Sequence, residues 1–502
     1  MQFLDNLALG FGVAFNPGSL LYCFIGALLG TIVGVLPGIG PLAAIAMLLP
    51  LTFGLDPVHA LIMLAGIYYG SQYGGSTTAI LVNLPGESSS AVTTIDGYQM
   101  ARKGRAGPAL AAAALGSFFA GTVATVLVAV VAKPLTSIAL SFGSAEYFSL
   151  MLVGLISSIA LASGSLLRAL AMIVLGLLLG LTGTDVYTGA PRFTFGFMPL
   201  LDGIDFVAIA VGVYGIGEII RNLEVGETAR SAVAAAKNLW PSREDLRRMV
   251  APALRGTAIG SLLGVLPGGG ALLSSFVAYN IEKKSSRNPE EFGHGAIEGV
   301  TAPEAANNAG AQTSFIPMLV LGLPSNATMA LMIGAMIMQG VQPGPSVITS
   351  NPEIFWGLIA SMWIGNAMLV ILNLPLIGLW VSLLRVPYWI LFPAIIAFCC
   401  IGVYSVSNNA FSVYLVTVAA AGGYLLMKLD CEPAPFILGF ILGPMLEEHL
   451  RRAMLISGGD VTVFVTRPIS AVLLLIAVVT LVIVSRPNIA RRRKEVFVEE
   501  DA

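Results

Sequence analysis

The chain has 502 residues, of which 56% are hydrophobic and only 11% are charged, and its mean hydropathy is +0.86. Because soluble domains carry about 25% charged residues, this composition excludes a single water-soluble globule. The net charge of −2 gives no indication of binding to nucleic acid, and we expect none.

Apolar runs long enough to cross a bilayer recur along the chain. About 17–25 apolar residues span the hydrocarbon core as a helix. The runs here are continuous rather than alternating, which predicts helices and excludes a barrel. We therefore predict an all-α polytopic membrane protein with about 12 or more membrane-spanning segments. The clearest runs are residues 109–132, 148–161, 169–181, 354–372, 413–426 and 471–484.

Two basic regions divide and orient the chain. Seven Lys or Arg residues lie in the polar segment 221–255, and four more lie at 491–494. Because cytoplasmic loops are enriched in basic residues, we place both regions in the cytoplasm. The predicted organisation is a first membrane repeat (1–221), a cytoplasmic linker (222–254), a second membrane repeat (255–466), and a terminal transmembrane helix with a basic tail (467–502). Residues 1–16 lack the basic start of a cleavable signal peptide.

The two membrane segments repeat one another. Residues 30–40 and 260–270 are identical at seven of 11 positions, which include four glycines and a Val-Leu-Pro run. Two further pairs follow in the same order, 70–86 with 310–325 and 97–108 with 334–345. Three elements in one order predict an internal duplication.

Basic residues alternate between the matching loops. Residues 52–57 contain none and their counterpart 283–287 contains three, whereas residues 102–105 contain three and their counterpart 340–343 contains none. Parallel repeats would place like charges on like loops. We therefore predict inverted topology, with a periplasmic N-terminus and a cytoplasmic C-terminus.

The second Pro-Gly motif is predicted to form a re-entrant helical hairpin. Arg255 and Lys283 flank it, and both should be cytoplasmic. Only 27 residues lie between them, too few for two crossings of about 20 residues each. Residues 267–270 then form the hairpin tip, and by symmetry residues 37–41 form the tip of another. The stretches around Pro85 and Pro324 are predicted to be discontinuous helices that face these tips.

Proline and glycine breaks expose backbone polar groups, because proline removes a donor and glycine lets the chain turn sharply. At membrane depth this is tolerated only inside protein or beside an aqueous cavity. Helix N-termini then attract anions, and free carbonyls bind Na⁺. We predict a midplane substrate site whose candidates are Pro37, Gly38, Gly40, Asn83, Pro85, Gly86, Ser88, Pro267, Gly268, Gly270, Asn307, Gln312, Pro324, Ser325, Asn326 and Thr328. The candidate Na⁺ ligands are Ser71, Gln72 and Asn308.

Simpler interpretations exist for several of these features. The Gly30/Gly34 and Gly260/Gly264 pairs match the small-residue pattern of helix packing. Helix capping explains any single Ser or Asn as well as ligand contact does.

Other polar residues are predicted to lie at the membrane interface or in solvent. Arg168 and Arg192 are alternative substrate-binding cations, and Glu146 and Asp185 are alternative proton carriers. Arg168 borders a loop and can extend to the interface, and both carboxylates lie near segment ends. Three histidines and four cysteines show no metal-ligand spacing. Without a catalytic or nucleotide-binding motif, we expect neither an enzyme nor a cofactor.

Residues 30–41, Gly-Thr-Ile-Val-Gly-Val-Leu-Pro-Gly-Ile-Gly-Pro, resemble the signature of the large permease subunit of tripartite tricarboxylate transporters. Residues 69–76, 83–87 and 305–310 are also similar to that family, and the resemblance covers essentially the whole chain. It implies a bacterial inner-membrane protein that works with a small membrane subunit and a periplasmic solute-binding protein. It also implies uptake of citrate-like tri- or dicarboxylates by Na⁺ or H⁺ symport. Similarity to other binding-protein-dependent secondary transporters implies an elevator-type movement.

Three other functions remain open. The chain could be a carrier for another small organic anion, a passive anion channel, or an intramembrane enzyme. Uptake against a gradient distinguishes a carrier from a channel, and the lack of a catalytic set disfavours the enzyme.

Overall fold

The computed structural model describes residues 2–36, 38–161, 165–225, 239–266, 270–384 and 388–485. The structure is 80% helical, so the predicted all-α class is confirmed. The candidate residues Pro37, Pro267 and Gly268 lie outside the described residues, as does the basic tail.

The helices follow one another along the chain with these bounds: α1 (Gln2–Ala14), α2 (Pro17–Gly34), α3 (Pro41–Leu48), α4 (Pro57–Val82), α5 (Ala91–Arg102), α6 (Ala106–Ala139), α7 (Ser144–Leu161), α8 (Leu166–Gly180), α9 (Phe206–Ala210), α10 (Gly217–Val225), α11 (Arg243–Val265), α12 (Gly270–Ser285), α13 (Glu298–Thr313), α14 (Phe315–Leu321), α15 (Ala327–Met338), α16 (Ser346–Ser350), α17 (Pro352–Asn373), α18 (Ile377–Leu383), α19 (Tyr388–Ser407), α20 (Ala410–Lys428), α21 (Pro433–Ile456), α22 (Val463–Thr466) and α23 (Pro468–Val484).

The remaining regular elements are short. Two-residue strands, β1 (Gly183–Thr184) and β2 (Pro191–Arg192), form an antiparallel pair. A π-helical segment, Val211–Ile216, joins α9 to α10. The 3₁₀ turns are Leu49–Thr52, Ser88–Ser90, Met198–Leu200 and Pro289–Glu291.

Five helical stretches within the described residues are long and apolar enough to cross a membrane. Shorter apolar helices of 10–17 residues accompany them. The surface agrees with membrane insertion, because the exposed residues of α23 include large apolar side chains such as Leu475 and Val478. Such a surface requires lipid around it, and the chain is a multi-pass membrane protein. The total of about 12 crossings remains a prediction. The five stretches are Pro17–Gly34, Ala106–Ala139, Phe206–Glu224, Pro352–Asn373 and Ala410–Lys428.

Helix α2 packs on α4 through glycines spaced four residues apart. A Cβ added at any of them would overlap a carbonyl oxygen of α4, so only glycine permits this approach. The pairs are Gly26 with Met63, Gly30 with Ile67, and Gly34 with Ser71, at 2.2, 2.4 and 2.1 Å from the added Cβ.

Helices α11 and α13 pack in the same way. A Cβ added at each of three glycines of α11 would lie 2.3 Å from a carbonyl oxygen of α13. The small-residue motifs in both halves are therefore helix-packing motifs, as the simpler interpretation of the sequence suggested. The pairs are Gly256 with Ala302, Gly260 with Ala306, and Gly264 with Gly310.

Helix α11 begins inside the segment that the sequence analysis treated as a linker. The Ser242 hydroxyl accepts a hydrogen bond from the Asp245 N–H, and the Asp245 carboxylate accepts one from the Ser242 N–H, at 3.1 and 3.0 Å. This capping box starts the helix at Arg243. Residues 243–254 therefore belong to the same helix as the packing glycines of α11. Farther along, Arg255 pairs with Glu282 at 2.6 Å and joins α11 to α12.

Two helix interruptions contain the prolines of the paired motifs. Helix α4 ends at Val82, Asn83 adopts a left-handed conformation (φ 58°), and α5 starts only at Ala91. Helix α14 ends before Gly322, which has φ 70°. Asn326 then caps α15 by accepting the Met329 N–H at 2.9 Å. Pro85 and Pro324 lie within these two breaks.

Candidate functional site

Helices α4 and α13 lie at the centre of the protein. Every residue of α4 from Ala60 to Val82, and every residue of α13 from Gly299 to Thr313, is buried. These stretches nevertheless contain carboxylate and amide side chains. Because burying such groups is costly unless they find partners, their contacts define the candidate site.

Glu304 of α13 is a buried carboxylate held by two hydroxyl groups. Its side chain is 1% exposed. Ser76 of α4 donates to Oε2 at 2.6 Å, and Thr93 of α5 donates to Oε1 at 2.5 Å. Glu304 therefore joins three helices from both halves of the chain.

Glu87, in the break after α4, is the second buried carboxylate. Its Oε1 accepts hydrogen bonds from the Ser89 hydroxyl at 2.6 Å and from Asn307 Nδ2 at 3.0 Å. Among the described residues, no Lys or Arg forms an ion pair with either Glu87 or Glu304. Both carboxyl groups are thus held by neutral donors, and because Asn307 lies one helical turn from Glu304 on α13, the two groups belong to one polar centre.

Gly40 and Gly86, two of the predicted residues of the first half, lie beside Glu87. A Cβ added at Gly40 would lie 3.6 Å from the Glu87 Cβ, and one at Gly86 would overlap Gly75 and the Gly34 carbonyl. Gly38 (φ 79°) instead contacts Asn222, whose Nδ2 donates a hydrogen bond to the Gly38 carbonyl oxygen at 3.1 Å.

One predicted residue of the second half, Gly270, lies beside Asn326. Gly270 has φ 50°, and a Cβ there would lie 3.4 Å from Asn326 Nδ2. Asn307, by contrast, pairs with Glu87 in the break after α4.

Several predicted ligands have structural partners. Ser325 Oγ donates to the Ser314 carbonyl at 3.5 Å, and Asn83 ends α4. Thr328 is buried near the start of α15, and Ser88 begins the 3₁₀ turn before α5. Gln312 is buried, and its Oε1 accepts no hydrogen bond from the part of the chain that the structure describes.

The three candidate Na⁺ ligands do not share one contact. The Ser71 hydroxyl donates to the Tyr68 carbonyl at 2.8 Å, and Asn308 Nδ2 donates to Ser117 Oγ at 2.6 Å. Gln72 is fully buried, and neither of its side-chain polar atoms has a hydrogen-bond partner among the described residues.

Asp96 of α5 organises the start of α13. Its Oδ1 accepts three backbone N–H groups, from Gly293, Gly295 and Ala296, at 2.9, 2.7 and 2.9 Å. The Tyr279 hydroxyl donates to Oδ2 at 2.9 Å. Asp96 thus ties α5 to α12 and to the segment that leads into α13.

Asp96→Ala is expected to destabilise the protein by about 3 kcal/mol, because it leaves three N–H donors, one buried and two half-buried, without their acceptor. Thermal unfolding of the purified chain in detergent measures this loss. Asp202→Ala, at an exposed position, is the control and should leave the unfolding temperature unchanged. Equal unfolding temperatures for the two variants would contradict the assigned role.

Arg192 and Asp185 belong to an ion-pair network rather than to the polar centre. Arg192 pairs with Glu447 at 2.8 Å, and Asp185 pairs with Arg451 at 3.1 Å. The Tyr187 N–H, together with the two arginines, holds the pKa of Asp185 below its usual range. This network fastens the β1–β2 segment to α21.

The other charged candidates are also paired or peripheral. Arg168 forms an ion pair with exposed Asp430, with 3.2 Å between Nη1 and Oδ2. Glu146 accepts hydrogen bonds from the Gly143 N–H and from Arg467, both at 2.8 Å. His449 stacks on Tyr147 with 5.0 Å between ring centroids.

Glu87, Glu304 and Asp96 are the central residues that sequence reasoning did not select. Glu87 lies in a run that was singled out, but only its neighbours were chosen as ligands. For Glu304, the available signal was an acidic residue inside an Ala-rich stretch without a nearby Lys or Arg in sequence.

These features define a helical membrane transporter with interrupted helices around a buried polar centre. The chain belongs to the tripartite tricarboxylate transporter TctA family, whose model matches residues 20–438. That family is the large subunit of the transporter, and it is a transporter family rather than an enzyme family.

Two relatives from Agrobacterium vitis are similar to this chain. An uncharacterized 52.8 kDa protein in the TAR-I ttuC' 3' region is 63% identical over 501 residues, covering 100% of both chains. An uncharacterized protein in the TAR-II ttuC' 3' region is 63% identical over 242 residues, which is 48% of this chain and 100% of that protein. No solved structure matches.

Proposed function

We propose that the chain is the permease subunit of a binding-protein-dependent secondary transporter for citrate-like tri- or dicarboxylates. The observation that carries this proposal is the family match over residues 20–438. Family members work with a small membrane subunit and a periplasmic binding protein. We extend that arrangement, and a bacterial inner-membrane location, to this chain.

The helix interruptions suit an anionic substrate. Gly40 and Gly86 lie beside Glu87, and Gly270 lies beside Asn326, at helix breaks of the kind whose free backbone N–H groups bind carboxylates. The matched glycine contacts of α2 with α4 and of α11 with α13 support an internal repeat, and the alternating loop charges support its inversion. We propose that these two units move against the rest of the protein in an elevator-type cycle.

The two buried carboxylates give a reason for cation coupling. Glu87 and Glu304 have neutral hydrogen-bond partners, so their charges would repel an incoming carboxylate in a medium of low dielectric constant. A bound Na⁺ or a proton removes that repulsion. The cation therefore binds with the substrate, which is the requirement of symport.

Gly38→Leu and Gly270→Leu are expected to abolish uptake, because each places a bulky side chain at a positive-φ position beside Asn222 or Asn326. Initial uptake of labelled citrate into cells that express the transporter measures the effect. Gly54→Leu is the matched control, since it has the same backbone strain (φ 80°) but open space around it. Normal uptake by the first two variants at wild-type expression would reject the site.

A carrier for a different small organic anion is the second candidate, since both Agrobacterium vitis relatives are uncharacterized proteins whose names give no substrate. Competition of labelled citrate with unlabelled mono-, di- and tricarboxylates distinguishes the two. Stronger competition by another anion than by unlabelled citrate would favour the second candidate.

A further inference from the structure

A small cavity lies beside Glu304, between α4, α6 and the end of α17. Its polar lining consists of Tyr73, Ser76, Thr77, Ser117 and Asn373, and apolar residues of α6 complete it. Ser76 connects the cavity to Glu304 through the hydrogen bond of 2.6 Å.

The polar lining offers oxygen lone pairs rather than hydrogens. The Tyr73 hydroxyl donates to Asn366 Oδ1 at 2.9 Å, and the Ser76 hydroxyl donates to Glu304. The Thr77 hydroxyl donates to the Tyr73 carbonyl at 3.4 Å. Because these hydrogens are already used, the hydroxyl oxygens can still accept a hydrogen bond or a cation.

Asn373 supplies the observation that points to a ligand. Its Nδ2 donates to the Leu369 carbonyl at 2.9 Å, which fixes the orientation of the amide. Among the described residues its buried Oδ1 has no hydrogen-bond partner, and Asn373 lines the cavity and is 5% exposed. A buried acceptor without a partner is costly, and a cation in the cavity would satisfy it.

We propose that this cavity binds Na⁺, with Ser76, Thr77 and Asn373 as oxygen ligands and Glu304 as the compensating charge. Divalent cations such as Ca²⁺ prefer several carboxylates, and transition metals prefer nitrogen or sulfur ligands; neither set is present in the lining. A proton needs no cavity lined by acceptors. The role of this cavity as the coupling site rests on the proposed symport. Na⁺ binding to the cavity does not depend on that proposal.

Sodium binding to the purified full-length chain tests the proposal. The unfolding temperature is measured while Na⁺ replaces K⁺ at constant ionic strength, since a ligand that binds the folded state raises it. We expect a saturable rise with Na⁺ and none with K⁺. Asn373→Ala and Ser76→Ala should each raise the Na⁺ dissociation constant by about tenfold or more. Ser261→Ala is the control, because the buried Ser261 hydroxyl of α11 has no hydrogen-bond partner among the described residues. This variant should not change the Na⁺ dissociation constant.

Either of two results would overturn the site: no difference between Na⁺ and K⁺, or unchanged Na⁺ affinity in Asn373→Ala and Ser76→Ala. Asn373→Ala removes only one hydrogen bond, so it decides the question if Ser76→Ala does not fold. Carboxylate uptake that needs only a proton gradient would overturn the role of this site in coupling and leave the proposed carrier intact. Normal Na⁺ binding without carboxylate uptake would leave the Na⁺ site intact and overturn the proposed carrier.

Discussion

Gly34→Ala is expected to destabilise the protein by about 3 kcal/mol or more, because overpacking forces backbone shifts. The new Cβ would lie 2.1 Å from the Ser71 carbonyl oxygen, and that atom belongs to a fully buried helix that cannot move aside. Separation of α2 from α4 would also displace Gly86, which packs on the Gly34 carbonyl. The yield of folded protein and its unfolding temperature in detergent measure the loss.

Gly12→Ala is the matched control for this substitution. Gly12 is also within a helix, α1, but nothing lies within 4 Å of its added Cβ. Since alanine favours helix by about 1 kcal/mol over glycine, this variant should be as stable as the wild type or slightly more so. A Gly34→Ala protein as stable as Gly12→Ala would contradict the close packing of α2 on α4.

Glu304→Gln is expected to reduce uphill carboxylate uptake about 100-fold, an effect of about 2.7 kcal/mol. The substitution keeps the size of the side chain but removes the carboxylate that attracts the cation in the proposed symport. It also replaces one acceptor of the hydrogen bonds from Ser76 and Thr93 with a donor. Hydrogen bonds to charged groups contribute about 1.5–3 kcal/mol, which supports this magnitude.

The measurement is the initial rate of labelled citrate uptake against its gradient, normalised to the amount of folded protein. Glu448→Gln is the control, because the Glu448 side chain is 44% exposed and pairs with exposed Arg452. It should transport at the wild-type rate. If Glu304→Gln also accumulates citrate normally, Glu304 has no part in cation coupling.

Local backbone chemistry explains which features the sequence could predict. The breaks at Pro85 and Pro324 follow from residues that cannot continue a helix. The glycine spacing in α2 and α11 indicates helix packing without knowledge of the partner helix. Ser242 and Asp245 also indicate the start of α11. The basic residues around them, however, make the segment resemble a cytoplasmic linker.

The polar centre could not be predicted in the same way because it depends on long-range contacts. Glu304 lies 228 residues from Ser76 and 211 from Thr93 along the chain. Similarly, Asn307 lies 220 residues from Glu87. No periodicity within one helix shows which hydroxyl or amide from the other half will meet a carboxylate. The sequence thus indicated polar residues near the breaks but not their pairing.

Accumulation of labelled citrate in membrane vesicles tests the proposed carrier most directly. The vesicles contain this chain with its small membrane subunit, and the periplasmic binding protein is supplied at the periplasmic face. With an inward Na⁺ or H⁺ gradient, we predict an internal citrate concentration above the external one, and collapse of the gradient should abolish the accumulation. Citrate that only equilibrates across the membrane, or uptake unaffected by the loss of both gradients, would contradict a cation-coupled carrier.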